Sequence, residues 1–261
     1  MAVIIHRIDK TNPGDYWSNP AHYFPIKVSS NIDIGSIKDY KTSEPIIFGG
    51  GGLLGRITWD TNISHLVENN KVILWGAGQN YYGQKKKGDL VGVPVESRLP
   101  DYISQFTKIG IRDYGLGYDW VPCASCMHPA LNVAKKVKTT NKILGIQHNK
   151  IKIKSPHFRS ISHAIEADKL EDFLCYIASF ECIVTNTYHG AYWSLLLGKK
   201  VVVQPWSSKF NNLKWNFAIT DKHGPMQKSI VDIADAITQN NQTALEESRI
   251  ANNDFFSSID L

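Results

Sequence analysis

The sequence predicts an α/β protein: two Rossmann-like layers of parallel strands facing a cleft, the second domain small. Three observations predict it. Short apolar runs with β-prone residues lead repeatedly into glycine-rich segments, with helix-like stretches between them. From Ala167 to Phe180 the apolar residues Leu170, Phe173, Leu174, Ile177 and Ala178 fall on one helical face. The segment from Cys182 to Phe210 places strand, His-Gly turn, helix, strand and loop in direct succession. Open α/β sheets place ligands at such strand ends.

Taken in order, Val3 to Ile8 reads as a strand leading into the turn Thr11-Asn12-Pro13-Gly14-Asp15. Pro45 to Phe48 reads as a second strand, opening into a loop at Gly49-Gly50-Gly51-Gly52-Leu53-Leu54. A helix is expected near Asn62 to Glu68. Val72 to Trp75 is a third strand, ending in the loop Gly76-Ala77-Gly78-Gln79-Asn80, and Ile109-Gly110-Ile111 is a strand end before Arg112-Asp113. Lys135 to Lys142 is polar and basic and reads as the crossing between domains 1–140 and 141–261. Lys142 to Gln147 starts the second sheet, which Cys182 to Thr185 and Val201 to Gln204 continue. Tyr188 to Leu197 reads as a helix stopped by Gly198. Ser229 to Ile237 is amphipathic, and Ala244 to Ile250 reads as a polar helix.

At 261 residues, 43% hydrophobic and 20% charged, the chain has an ordinary globular balance and ample material for a core. A net charge of +5 without a dense basic stripe argues against nucleic acid as a partner. Lys85-Lys86-Lys87, the tight basic run, reads as a solvated loop. Met1 to His6 lacks the basic and apolar regions of a signal peptide, and no stretch approaches a membrane span. The expected location is therefore cytoplasmic, with Cys123, Cys126, Cys175 and Cys182 reduced.

His189 marks the point where a buried strand turns into a helix, in Thr187-Tyr188-His189-Gly190. The free N–H groups of a helix start attract anions and lower imidazole basicity. Arg112 at a strand end can fork onto phosphate or carboxylate, or pair locally with Asp113. Asn12-Pro13-Gly14-Asp15 is either a ligand-approaching turn or a plain Asx turn. Gly50, Gly51 and Gly52 permit close backbone approach but lack the Lys-Ser/Thr of a Walker loop. Gly78, Gln79 and Asn80 sit after a strand in the same way and serve either ligand contact or strand–helix packing. Lys209 and His223 lie in or beyond the next loop. Cys123-Ala124-Ser125-Cys126 with His128 invites a zinc reading, but no second knuckle is spaced to complete it, so a structural or substrate-lining loop is expected and no metal.

In order and spacing, from about Ile5 to Phe210, these pieces resemble the polysaccharide pyruvyl transferase family. They are Asn12-Pro13-Gly14-Asp15, Gly49 to Leu54, Gly76 to Asn80, Arg112-Asp113, and Thr187-Tyr188-His189-Gly190 with Gly198-Lys199-Lys200 behind. Trp206 to Phe210 resembles the family's aromatic-lysine segment. Where many members carry Arg-Leu-His, this chain carries Thr187-Tyr188-His189. The resemblance implies a GT-B-like fold and transfer of pyruvate from phosphoenolpyruvate to two hydroxyls of a surface glycan. It needs no cofactor, and Arg112 and His189 match the family's donor-binding basic residues. The 1–140 domain would hold the acceptor side and part of the cleft, and 141–261 the donor side with C-terminal helices. His189, Arg112 and Asp15 are then the catalytic candidates, with Asp113 as a further acid–base candidate. Asn12, Gly14, Gly50, Gly51, Gly52, Gly78, Gln79, Asn80, Asp113, Thr187, Tyr188, Gly190 and Lys209 are the substrate-binding candidates. A nucleotide-sugar glycosyltransferase on the same scaffold, or a glycan-binding module built on the chain's aromatic residues, would read similarly.

Overall fold

The computed structural model describes residues 1–55, 57–81, 96–153, 158–220 and 241–260. Within them the chain is α/β, with two sheets whose strand pairs are parallel throughout. The first sheet contains β1 (Ala2–His6), β2 (Val28–Asp33), β3 (Ile46–Leu54), β4 (Val72–Gln79), β5 (Lys108–Ile111) and β6 (Asp119–Trp120), in the order β2-β1-β3-β4-β5-β6. The second contains β7 (Asn141–Gln147), β8 (Ser160–Ser162), β9 (Phe180–Thr185), β10 (Lys200–Val203) and β11 (Ala218–Ile219), in the order β11-β10-β9-β7-β8. The helices are α1 (Pro13–Tyr16), α2 (Ile57–Asn69), α3 (Ala130–Ala134), α4 (Leu170–Ala178), α5 (Tyr188–Leu196) and a C-terminal helix, Ala244–Ser257.

Central strands are buried on both faces because helices cover parallel sheets from both sides. β1 and β4 are buried at every residue, which is why Val3-Ile4-Ile5 and Val72-Ile73-Leu74-Trp75 read as unbroken apolar runs. β2 escapes that pattern. Its sequence Val-Ser-Ser-Asn-Ile-Asp is half exposed at the sheet edge, so little in its composition marks a strand.

The glycine runs differ from expectation. Gly49 to Gly52 and Gly76 to Gln79 are not loops; they continue β3 and β4, where Gly49 pairs with Trp75 and Gly51 with Ala77. Ladder pairing between two central strands outweighs the weak strand preference of glycine. The reason for glycine is crowding from the segment after β1. A Cβ at Gly49 would lie 2.8 Å from Pro20 Cδ, and one at Gly50 would lie 2.8 Å from the Ser18 carbonyl oxygen. Gly51 has φ +86°, where the pairing register shifts.

Two helices run longer than their sequence pattern, and one segment divides. α2 spans Ile57–Asn69 rather than Asn62 to Glu68. Ala167 to Phe180 divides into a 3-10 turn, Ala167–Lys169, then α4, while Phe180 already opens β9. The C-terminal helix continues past Ile250 because Phe255 and Phe256 pack against Trp75, and Phe256 also meets Phe24, under the first sheet. Asn252 secures that return. It accepts a hydrogen bond from Trp75 Nε1 at 2.9 Å and donates to the Pro122 carbonyl at 3.1 Å.

The core beneath the second sheet also draws on the first half of the chain. Cys123, Cys126 and Leu131 join Leu144, Leu174, Ile183 and Trp193 in one cluster. Among the described residues no helix is long and apolar enough to cross a membrane. Lys85-Lys86-Lys87, His223 and Ser229 to Ile237 lie outside the described residues.

Candidate functional site

The carboxyl end of β9 builds one wall of the site. Thr187 caps α5, its Oγ1 accepting a hydrogen bond from the Gly190 N–H at 3.1 Å. Thr185 Oγ1 donates to the Ile146 carbonyl at 2.8 Å. A Cβ at Gly190 would come within 2.6 Å of that Thr185 oxygen, so the close turn requires glycine. Asn186 ties three elements together. Its Oδ1 accepts from the His148 N–H at 2.7 Å, its Nδ2 donates to the Ile151 carbonyl at 3.0 Å, and its own carbonyl accepts from Trp206 Nε1 at 2.7 Å. His189, in the first turn of α5, is 8% exposed.

The facing wall comes from the first sheet. The Arg112 guanidinium, just past β5, lies 3.8 Å from the centre of the Tyr188 ring and donates from Nη2 to the Gln79 carbonyl at 3.2 Å. Gly78 makes room for it. A Cβ there would fall 2.5 Å from Arg112 Nε and 2.6 Å from Asp113 Oδ2. Asp113 accepts the Gln79 N–H at 2.7 Å. Burial pushes its carboxyl up to about 6, against the opposing pull of Arg112 and of the Gln79 N–H.

Between these walls lies a cavity of about 150 Å³. Arg112, His189 and Lys209 all line it, so cationic and imidazole groups from both sheets meet in one place. Asn12 and Asp15 enter from α1 and its cap, where Asn12 Nδ2 donates to Asp15 Oδ2 at 2.7 Å. Gly52, Asn80, Thr187 and Tyr188 complete the expected part of the lining. Lys209 Nζ sits 3.8 Å from the Trp206 ring centre, a cation–π contact.

The electrostatics favour an anion. Burial drives the His189 imidazole well below its usual range, and the positive charge of Arg112, His163 and Lys209 adds to the effect, so the ring is neutral near pH 7. Tyr188 is pushed up by burial and stays a phenol. Among the described residues, four buried side-chain atoms find no hydrogen-bond partner: Asn80 Oδ1, Arg112 Nε, Tyr188 OH and Ser207 Oγ. Three of those residues line this cavity, and the fourth adjoins Trp206 in its wall. Buried polar groups are seldom left unpaired, so their gathering at one hollow marks a place where a polar ligand would complete them.

The remaining candidates stand behind the lining. Gly14 packs against the His189 ring, Gly50 against Ser18, and Gly78 against Arg112. Gly51 lies within β3, and Gly190 lies against Thr185 and Thr187. Gln79 is fully buried, its side chain held by Asn212 and by the Arg98 N–H. Asp113 is likewise turned into the β4–β5 junction. These residues shape the wall rather than face the cavity.

Two lining residues had no place among the sequence candidates. His148 follows β7 and His163 follows β8, and their rings stack with centres 5.3 Å apart. Their only signal is position, a histidine directly past a strand end. Cys123 and Cys126 are buried, and Cys123 Sγ lies 3.4 Å from His189 Nε2. Among the described residues no group of three or more His, Cys, Asp or Glu side chains is arranged to hold a metal. A larger open hollow, about 750 Å³, lies between α2 and Pro100 to Gln105. Size favours it as a binding site, but it gathers none of the unpartnered atoms, and Tyr102 OH there already donates to Asp60 at 2.6 Å. The chemistry favours the smaller cavity.

No family model and no curated protein sequence matches the chain. Among solved structures, an uncharacterized protein from Klebsiella pneumoniae subsp. pneumoniae NTUH-K2044 is similar at 15% identity, over 81% of this chain and 86% of that one, with a TM-score of 0.49.

Proposed function

We propose that this chain is a glycan-modifying transferase of GT-B-like arrangement that moves pyruvate from phosphoenolpyruvate onto a sugar. The observation that carries the reading is the convergence of Arg112, His189 and Lys209 on one cavity that also holds the unpartnered Asn80, Arg112 and Tyr188 groups. Phosphoenolpyruvate brings a carboxylate and a phosphate, and both need cations or N–H donors away from bulk water. Arg112, Lys209 and the N-terminal turn of α5 are such donors. Size also supports a small donor, since pockets for drug-sized ligands run to roughly 300–1,000 Å³ and this cavity has about 150 Å³.

The methylene carbon of the enol takes up one proton, matched by the one the first sugar hydroxyl releases, and becomes the methyl group, while the proton of the second hydroxyl leaves with the phosphate. One sugar hydroxyl then adds to the carbon bearing the phosphate and gives up its proton. Phosphate leaves, and a second hydroxyl of the same sugar takes its place, losing its proton and closing a cyclic ketal. Asp15, in the lining beside Asn12, is a carboxylate placed to accept a hydroxyl proton. His189, held neutral by burial, is the group that would donate a hydrogen bond to the anionic donor. Asp113 faces away from the cavity and acts by holding the β4–β5 junction beside Arg112.

A thermal-shift panel of phosphoenolpyruvate, inorganic phosphate, UDP-sugars and GDP-sugars tests the reading. Selective stabilisation by phosphoenolpyruvate is expected, rising with the logarithm of its concentration. Phosphate release with a glycan acceptor should follow, and His189→Ala should abolish it. Stabilisation by a nucleotide sugar alone would make the chain a glycosyltransferase. Binding of glycan without any donor, and without turnover, would make it a binding module.

A further inference from the structure

The environment of His189 contains a directed chain of hydrogen bonds that neither the fold nor the proposed transfer requires. Trp193 Nε1 lies 3.0 Å from Ser125 Oγ, Ser125 Oγ lies 3.2 Å from Cys123 Sγ, and Cys123 Sγ lies 3.4 Å from His189 Nε2. Ser125 and Cys123 are fully buried, Trp193 nearly so. Indole N–H is a donor only, so Ser125 Oγ must accept from Trp193. The single hydroxyl proton of Ser125 then has the Cys123 sulfur as its partner among the described residues. With its sulfur accepting from Ser125, the Cys123 thiol has its own proton left for His189 Nε2. Burial raises the Cys123 thiol above its usual range, so that proton is present near neutral pH. The reverse polarity, with His189 Nε2–H donating to sulfur, would strand a proton either way: that of the buried Ser125 hydroxyl if the thiol donates to Ser125, or that of the Cys123 thiol if the sulfur accepts from both neighbours.

We infer that Cys123 is a positioning residue: the chain from Trp193 through Ser125 and Cys123 fixes His189 as the tautomer protonated on Nδ1. That nitrogen lies against Gly14 at the start of α1, beside Asn12 and Asp15 of the cavity lining. It has no hydrogen-bond partner among the described residues. The imidazole therefore carries its N–H on the side of the ring packed against Gly14 and α1, and its basic nitrogen is already engaged with Cys123. A neutral imidazole held this way serves as a hydrogen-bond donor, not as a proton acceptor. The assignment of Nδ1–H stands on the protein alone; its use as a donor to phosphoenolpyruvate rests on the transferase reading.

Nitrogen-15 NMR of the full, ligand-free chain labelled at histidine side chains tests it, with His189→Asn to assign the signal. The expected spectrum shows protonated Nδ1 and unprotonated Nε2 at pH 7. Cys123→Ser keeps a donor to Nε2 and should retain that pattern. Cys123→Ala removes the donor and should shift the tautomer ratio roughly fivefold towards Nε2–H, the worth of one ordinary hydrogen bond. A wild-type signal showing Nε2–H overturns the inference, and so does an unchanged ratio in a folded Cys123→Ala. Should Cys123→Ala fail to fold, the wild-type spectrum alone decides. Because no donor is added, failure of phosphoenolpyruvate to bind would leave this result standing, and the reverse also holds.

Discussion

Replacing Gly14 with alanine puts a methyl group where the His189 ring lies. The new carbon would fall 2.8 Å from Cε1 and would overlap Cγ and Nδ1 outright. Carbon atoms sit comfortably at roughly 3.5–4.0 Å, so the ring or α1 must give way by about 1 Å or more. His189 has little room to retreat, with Cys123 on its far nitrogen and Trp193 at 5.1 Å ring to ring. Overpacking of this kind costs about 1–3 kcal/mol, which for a chain of this size lowers the melting temperature by roughly 2–10 °C. The clean assay is a double-mutant cycle of thermal or urea unfolding with Gly14→Ala, His189→Ala and the pair. In the His189→Ala background the methyl group enters vacated space, and the cost of Gly14→Ala should largely vanish. An equal cost in both backgrounds would refute the claim that this glycine exists to admit the imidazole. On the transferase reading, a displacement of about 1 Å in the wild-type background should also lower turnover by on the order of a hundredfold.

Other outcomes follow from the same geometry. Arg112→Lys keeps the charge but loses the planar fork over Tyr188, and calorimetry should show phosphoenolpyruvate binding at least about tenfold weaker; unchanged affinity would remove Arg112 from the donor site. Burial lowers His6 to about 4 from the ordinary 6.5, so the unfolded chain binds more protons than the native one between those values. Stability from this group is whole above pH 6.5 and drains away as pH falls towards 4, by on the order of 3 kcal/mol. His6→Gln should flatten the pH dependence of urea unfolding in that window, and an unaltered slope would count against the buried neutral ring. Asn252→Ala strands Trp75 Nε1 and the Pro122 carbonyl and should cost roughly 2–4 kcal/mol in chemical denaturation, whereas a cost below about 0.5 kcal/mol would mean the return of the last helix does not depend on it.

Much of this architecture is visible in the residue order, and the failures have physical causes. β1, β4, β7, β9 and β10 are legible because their apolar cores stand out from polar flanks, and α5 because Thr187 caps it and Gly198, at φ +71°, ends it. The glycine runs were legible as important but not as strands, because glycine marks both loops and crowded strands; the crowding partners Ser18 and Pro20 are distant in sequence. Arg112, His189 and Lys209 could be found because each sits at a strand end or the loop after one. His163 could not, since β8 is a three-residue polar strand with no periodic signature, whereas His148, directly past the legible β7, carried the same positional signal as Arg112 and was passed over. Cys123 was legible only as half of a Cys-x-x-Cys pair. Its partner is the imidazole 66 residues later, a contact that folding alone creates.

The return of the last helix to the first sheet bears on how the chain comes to be folded as it is made. Trp75 and Phe24 are covered by Phe255 and Phe256, so during synthesis they wait for a helix made long after the first sheet has emerged. The leading half would emerge with a bare aromatic face that invites chaperones or self-association. A fragment ending at residue 140 should accordingly accumulate in inclusion bodies, and co-expression with a separate peptide carrying the final helix should bring part of it back to the supernatant.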